Sequence, residues 1–280
     1  MSQFFSIRVI GILIGLGFTL AVLWAFGNGV VAVISEGQLK QATVEHEYHK
    51  KPNDYAWSFD GLLGKWDTQQ LQRGFKVYDE VCAACHGLKF VAFRDLEQIG
   101  YDEGQVKNYA ASKQVQDIDP TTRETVTRPG LPTDYFPHVA YAGAGVPPDL
   151  SLIAKARPDG TNYLVSLLTG YTEVPAELKA EFPDFAVPAT GYYNPYFPNL
   201  ALSMPAPLVD GQVTYDDGTE ATVEQMSKDV AAFLTWTAEP TLVKRKQTGW
   251  PVLIFLLFAT VLAYLSKQQI WAAVKPKKRD

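Results

Sequence analysis

Two long apolar runs bracket a mixed central region. The first extends from Val9 to Ile34 and is interrupted only by small or weakly polar residues such as Thr19 and Asn28. Arg8 is the sole charge upstream of it. A secretory signal carries an apolar core of about 7–15 residues and a small-residue cleavage site. This run is longer, and Val30-Val31-Ala32 is a poor cleavage site. The pattern predicts a retained membrane anchor, with a cleaved signal as the alternative; either would export the central region. The second run, Gly249 to Leu265, is long enough for a transmembrane helix of about 17–25 residues. Trp250, Tyr264 and Trp271 suit an aromatic belt. Lys244, Arg245 and Lys246 precede it, and Lys267, Lys275, Lys277, Lys278 and Arg279 come after it. The larger basic cluster predicts a cytoplasmic C-terminus. The chain therefore divides into an anchor or signal (1–35), an exported domain (36–243), a transmembrane helix (244–271) and a basic cytoplasmic tail (272–280).

Inside the central region two stretches carry helical periodicity. Asp67, with Gln70 three residues on, marks a helix start. Leu71, Phe75, Tyr78, Cys82 and Cys85 come next at helical spacing. A second helix is predicted from Thr222 to Thr237, with Val223, Met226, Val230, Phe233 and Leu234 on its apolar side and Pro240 as its stop. The rest is rich in Gly, Pro and Asp and reads as loops.

The first helix runs into the chemistry. The chain has only two cysteines, both in Cys82-Ala83-Ala84-Cys85-His86. This C-x-x-C-H string is the pattern of c-type haem attachment. Two thiols on one turn can each form a thioether to a haem vinyl group, and the adjacent imidazole can reach the iron. A zinc site needs four ligands, and no second cysteine pair exists. A redox dithiol or a disulfide would leave His86 without a role. The net charge of −5 speaks against a nucleic-acid partner.

An iron held by His86 on one side takes Met, His or nothing on the other. The chain has three methionines, and Met1 is the start. Met226 lies on an apolar helix face, where a core-filling role is the better reading. Met204, in Ser203-Met204-Pro205-Ala206-Pro207, lies in a stretch stiffened by prolines and is the preferred ligand. His138 is the rival, with His46 and His49 behind it.

Further strings carry a resemblance. They are Arg73-Gly74-Phe75-Lys76-Val77-Tyr78 before the haem motif, Asp134-Tyr135-Phe136-Pro137, Pro147-Pro148-Asp149-Leu150-Ser151 and Lys155-Ala156-Arg157. They continue with Tyr163 to Tyr171, Tyr193-Asn194-Pro195-Tyr196-Phe197-Pro198, Asp216-Asp217-Gly218-Thr219, Lys228-Asp229-Val230 and Trp236-Thr237-Ala238-Glu239-Pro240. In order and spacing, from about Trp57 to Trp271, the chain resembles cytochrome c1, the haem-c subunit of the quinol–cytochrome c reductase (bc1) complex, in its bacterial form.

The resemblance implies a mainly α fold: a class I cytochrome c-like haem domain with long loop insertions, a C-terminal transmembrane helix and an N-terminal one. It implies one covalent haem c on Cys82, Cys85 and His86, and it places Met204 at the family's axial methionine. It implies an electron-transfer role without a quinol site: acceptance from the Rieske iron–sulfur protein and delivery to a soluble or anchored cytochrome c. Cytochrome b, a lipid bilayer and a dimeric complex would surround the chain, on a bacterial inner membrane with the haem domain in the periplasm. Asp95, Glu97, Asp102, Glu103, Asp117 and Asp119 are candidates for meeting a basic partner. Two departures stand out. Val139 occupies the place of an Arg thought to contact a haem propionate, for which Arg128 or Arg157 could substitute. The apolar N-terminus looks like a second anchor rather than the usual cleavable signal. Outside the resemblance, the haem and anchor alone would equally allow a free-standing membrane-anchored electron shuttle, and an open iron would make a haem sensor or peroxidase.

Overall fold

A computed structural model describes residues 7–35, 43–139, 141, 143 and 145–274. The basic tail residues Lys275, Lys277, Lys278 and Arg279 lie outside the described residues, as does Ala140 beside Val139. The described chain is mainly α-helical, as the sequence predicts, with two short antiparallel ribbons.

Residues 1–48 form one unit and 49–280 another. The first contains α1 (Ile7–Ser35) and α2 (Val44–Tyr48). At 29 residues, α1 is ~44 Å long, more than the ~30 Å hydrocarbon core of a bilayer. Ile12, Leu16, Phe18 and Trp24 are all exposed on it. A helix that is apolar all round suits lipid on every side.

In the second unit, α3 (Thr68–Glu80) begins where the sequence says it should: the Asp67 carboxylate accepts the Gln70 N–H at 3.1 Å. Its buried face is Leu71, Gly74, Phe75, Val77 and Tyr78. α7 (Val223–Ala238) is capped by the Thr222 hydroxyl, which accepts the Gln225 N–H at 3.2 Å. These helices, some 150 residues apart, cross at Gly74. A Cβ there would lie 2.0 Å from the Asp229 carbonyl oxygen, so only glycine allows the approach. Phe75 and Tyr78 meet Phe233 at ring-centroid distances of 5.6 and 5.8 Å. Arg73 closes the crossing from outside. It bonds the fully buried Asp229 carboxylate at 3.0 Å and Asp217 at 2.7 Å, which leaves that buried charge paired.

The predicted loops contain more structure than expected. α4 (Glu103–Ser112), α5 (Gly160–Thr169) and α6 (Ala176–Glu181) lie within them, with a 3₁₀ segment at Phe93–Ile99. β1 (Gln114–Ile118) pairs with β2 (Thr125–Pro129), and β3 (Tyr192–Tyr193) with β4 (Ala201–Leu202). α5 packs on α7, where the Thr161 and Thr235 hydroxyls share a hydrogen bond of 2.8 Å. The six-residue α6 and the two-residue strands β3 and β4 are too short to set up a period, so side-chain pattern does not reveal them.

Two residues after Pro240, α8 (Leu242–Ala272) begins. It is ~46 Å long, exceeds the apolar run at both ends and carries Pro251 inside it. Beyond Trp250 its large apolar residues, Val252 to Leu257 among them, are exposed. The chain thus has two membrane-length apolar helices, one in each unit.

Candidate haem site

α3 stops at Glu80, and the cysteines sit just past it on a 3₁₀ turn, Cys82–Ala84, rather than on the helix itself. The Cys82 carbonyl accepts the N–H groups of both Cys85 (3.1 Å) and His86 (2.9 Å). The tighter winding gathers both thiols and the imidazole onto one turn. All three residues are half-buried, and both thiols are free.

His86 is gripped at two points. Its carbonyl accepts the Tyr78 hydroxyl at 2.9 Å. Its Nδ1 lies 2.7 Å from the Pro148 carbonyl. A carbonyl can only accept, so Nδ1 carries a proton, and Nε2 is the ring nitrogen left to face a metal. Sequence reading missed the role of the Pro147–Ser151 string in this. Leu150 N–H donates to the Gly87 carbonyl at 2.9 Å, and Lys89 N–H to the Asp149 carboxylate at 2.9 Å. Phe90 N–H reaches the Ser151 hydroxyl at 3.1 Å, and the Ser151 N–H returns to Asp149 at 3.1 Å. The string laces itself to residues 87–90 and thereby aims the Pro148 carbonyl. Its one signal in the sequence is an Asp between Pro and Ser, an arrangement suited to bonding nearby backbone.

Met204 arrives from a different element. The β3–β4 ribbon precedes it, held by Asn194 N–H on the Leu200 carbonyl (2.9 Å) and by the buried Asn194 amide on the Leu167 carbonyl (2.8 Å). The Tyr171 hydroxyl donates to the Met204 carbonyl at 3.1 Å. Met204 is half-buried and packs against the same apolar core as Cys82. Met226 is wholly buried on α7. His46 and His138 are exposed, and the exposed His49 ring nitrogen bonds the Tyr196 carbonyl at 3.2 Å.

The donor set fits haem c. An imidazole engaged through Nδ1 with Nε2 left over, two unpaired thiols on the same turn and a thioether on a stiffened loop are what that group takes. Burial pushes the Cys82 thiol up to about 12, with the neighbouring Cys85 adding to it. Redox dithiols work through a lowered thiol pKa, so this environment argues against that reading. Among the described residues no three His, Cys, Asp or Glu side chains cluster as a metal set.

The surrounding charges separate. Arg128 is tied between Asp117 (2.7 Å) and Asp134 (2.6 Å). Arg157 is exposed, donates to the Ala156 carbonyl and lies beside Tyr163. Of the two substitutes for the missing Arg, only Arg157 keeps a guanidinium not committed to carboxylates. Four of the six acidic residues considered for docking have structural duties. Asp95 accepts the Ala92 N–H, Asp102 caps α4, and Asp117 pairs with Arg128. Asp119 closes a turn on the Thr121 and Thr122 N–H groups.

A helical domain with two thiols and an imidazole on one turn, continuous with a membrane-length helix, has the build of an anchored haem protein. The chain belongs to the cytochrome c1 family, whose model matches residues 57–274. It is similar to the cytochrome c1 of Rhodospirillum rubrum, with 44% identity over 236 residues, covering 78% of this chain and 87% of that protein. It is 40% identical over 243 residues to the mitochondrial cytochrome c1 haem protein of Saccharomyces cerevisiae, covering 84% and 76%. It is 41% identical over 275 residues to the cytochrome b/c1 protein of Bradyrhizobium diazoefficiens; that match takes in 89% of this chain but only 40% of the relative's length.

Proposed function

We propose that this chain is the haem-c electron-transfer subunit of a quinol–cytochrome c reductase, the bc1 complex, where it assembles with cytochrome b. Cys82 and Cys85 hold one haem c by thioethers, and His86 and Met204 are the two iron ligands. The observation that carries this reading is the His86 imidazole, held on the turn of the two thiols with Nδ1 on the Pro148 carbonyl. When bound, the haem supplies one-electron chemistry. With haem bound, His86 and Met204 would be the residues that hold its iron, and the chain would then offer a substrate no place there. A Met204 thioether ligand would raise the reduction potential, which would suit an acceptor late in a quinol-oxidising sequence. The chain takes its electron from the Rieske iron–sulfur protein and passes it to a soluble or anchored cytochrome c; quinol oxidation belongs to other subunits. α8 anchors the domain on the periplasmic face of a bacterial inner membrane, with the C-terminus in the cytoplasm. α1 is retained as a second anchor, and the complex is dimeric. Two membrane-length helices and the names of the relatives support this placement.

The test is a reduced-minus-oxidised spectrum of the purified membrane complex with its subunits identified by mass. A c-type haem on this chain, together with a cytochrome b and an iron–sulfur protein, is the expected result. A haem chain that always purifies alone would be a free-standing shuttle. Carbon monoxide binding to the reduced native protein would mean an open iron.

A further inference from the structure

Between Phe59 and Trp66 the chain makes a closed loop with an apolar tip. The Lys65 N–H donates to the Ser58 carbonyl at 2.8 Å and the Asp60 N–H to the Trp57 carbonyl at 3.0 Å. The base is rigid, because buried Phe59 sits between Trp57 and Trp66 at ring distances of 5.5 and 4.6 Å. The tip reads Gly61-Leu62-Leu63-Gly64, with Gly61 at φ +67°. Leu62 is 55% and Leu63 81% exposed.

This tip is fastened to the start of α8. Lys246 Nζ donates to the Phe59 carbonyl at 2.9 Å. One turn on, Trp250 lines a surface depression with Asp60, Gly61, Leu62, Leu63 and Gly64. The next residue on that helix face, Ile254, is exposed. Among the described residues, protein cover along this face ends at the level of Leu62 and Leu63. There the apolar run of α8 begins, with a tryptophan of the kind that marks the membrane–water boundary. Lys65 and Lys244 are exposed nearby in sequence, as suits a phosphate headgroup layer. The single carboxylate at the rim, Asp60, accepts the Trp57 N–H at 3.2 Å.

We propose that the 58–65 loop is a further, shallow membrane contact: Leu62 and Leu63 enter the lipid bilayer beside Trp250 and fix the tilt of the domain on α8. The occupant is lipid rather than protein, because the tip is continuous with the exposed apolar surface of α8 and lies at its entry into the bilayer. This inference goes beyond the electron-transfer role and rests on α8 crossing the membrane.

The experiment is site-directed spin labelling of the full haem-loaded chain in vesicles of phosphatidylcholine and phosphatidylglycerol. Leu63→Cys, Val146→Cys and Leu257→Cys are labelled in turn, with relaxation by oxygen and by a water-soluble nickel chelate as the readout. Leu257, 71% exposed on α8, reports whether that helix is in lipid; Val146, 94% exposed, is the aqueous standard. The expected result is oxygen-dominated relaxation at position 63, at the depth of about 5–10 Å typical of interfacial segments. Nickel relaxation at 63 equal to that at 146, with 257 in lipid, would overturn the loop contact. A label at 257 that is open to nickel would overturn the membrane reading itself. Shielding of 63 from both agents in the assembled complex would mean that another subunit covers the tip, and would also overturn the proposal.

Discussion

The Pro148 carbonyl lies 2.7 Å from Nδ1 of His86, a residue 62 positions earlier. Proline has no N–H of its own to spend, and its carbonyl is the group turned toward the ring. The bond sets the imidazole's tautomer and its rotation together. Metal-bound histidines commonly use such a partner, and its loss weakens the ligand. Asp149 supports the arrangement by accepting from Lys89 and Ser151. Asp149→Ala removes two hydrogen bonds of about 1 kcal/mol each. Unfolding should therefore show a loss of roughly 2 kcal/mol in stability. The His86 ligand signals should broaden in NMR of the haem-loaded protein; unchanged signals would separate Pro148 from the ligand's orientation.

Haem retention after denaturation tests the two thioethers. Wild-type chain on a denaturing gel should keep haem peroxidase staining and resist acid–acetone extraction. The double variant Cys82→Ala/Cys85→Ala should lose the staining, whereas each single variant leaves one thioether in place. Full extraction of haem from the wild type would rule out covalent attachment.

Replacement of the two internal methionines separates ligand from filler. Met204→Leu should lower the reduction potential and open the iron to carbon monoxide, since an alkyl chain cannot coordinate. Met226→Leu, a near volume-conserving change at a fully buried position, should cost under about 1.5 kcal/mol and leave the potential alone. An unchanged potential in Met204→Leu would send the assignment back to His138.

The crossing of α3 and α7 gives a prediction on stability alone. Gly74→Ala forces a Cβ onto the Asp229 carbonyl, a backbone atom that cannot rotate away. Overpacking of this kind costs typically 1–3 kcal/mol, a Tm drop of about 2–12 °C in a domain of this size. Calorimetry reads it directly, and an unchanged Tm would show that the helices separate freely there.

Acid stability should depend on Asp217. The Thr219 N–H and then the Arg73 guanidinium hold its carboxyl down at about 2. A carboxyl lowered by folding stabilises the native state above its unfolded pKa of about 4. That contribution fades as pH falls from about 4 towards 2. Asp217→Asn should flatten the fall in Tm over that window. Identical acid limbs in wild type and Asp217→Asn would refute the linkage.

Several parts of this protein are written in short spans of sequence. The two long apolar helices are visible because membrane length and uniform apolarity can be read residue by residue, and α1 and α8 have both. α3 and α7 show their caps, Asp67 and Thr222, and their apolar faces. The thiols and imidazole are legible because Cys82, Cys85 and His86 lie within one turn. α4 escapes notice although Asp102 and Gln105 bond each other's backbone N–H groups in a capping box, at 2.8 and 2.9 Å; its apolar face is only Val106 and Ala110. Tertiary structure alone decided the rest, because those relations join residues far apart in the chain. The Pro148 carbonyl behind His86, the Tyr171 hydroxyl on the Met204 loop and the Asp229 carbonyl against Gly74 each depend on where folding brings a second segment. A backbone carbonyl is the same group in every residue. No side-chain pattern can therefore announce which one will aim an imidazole.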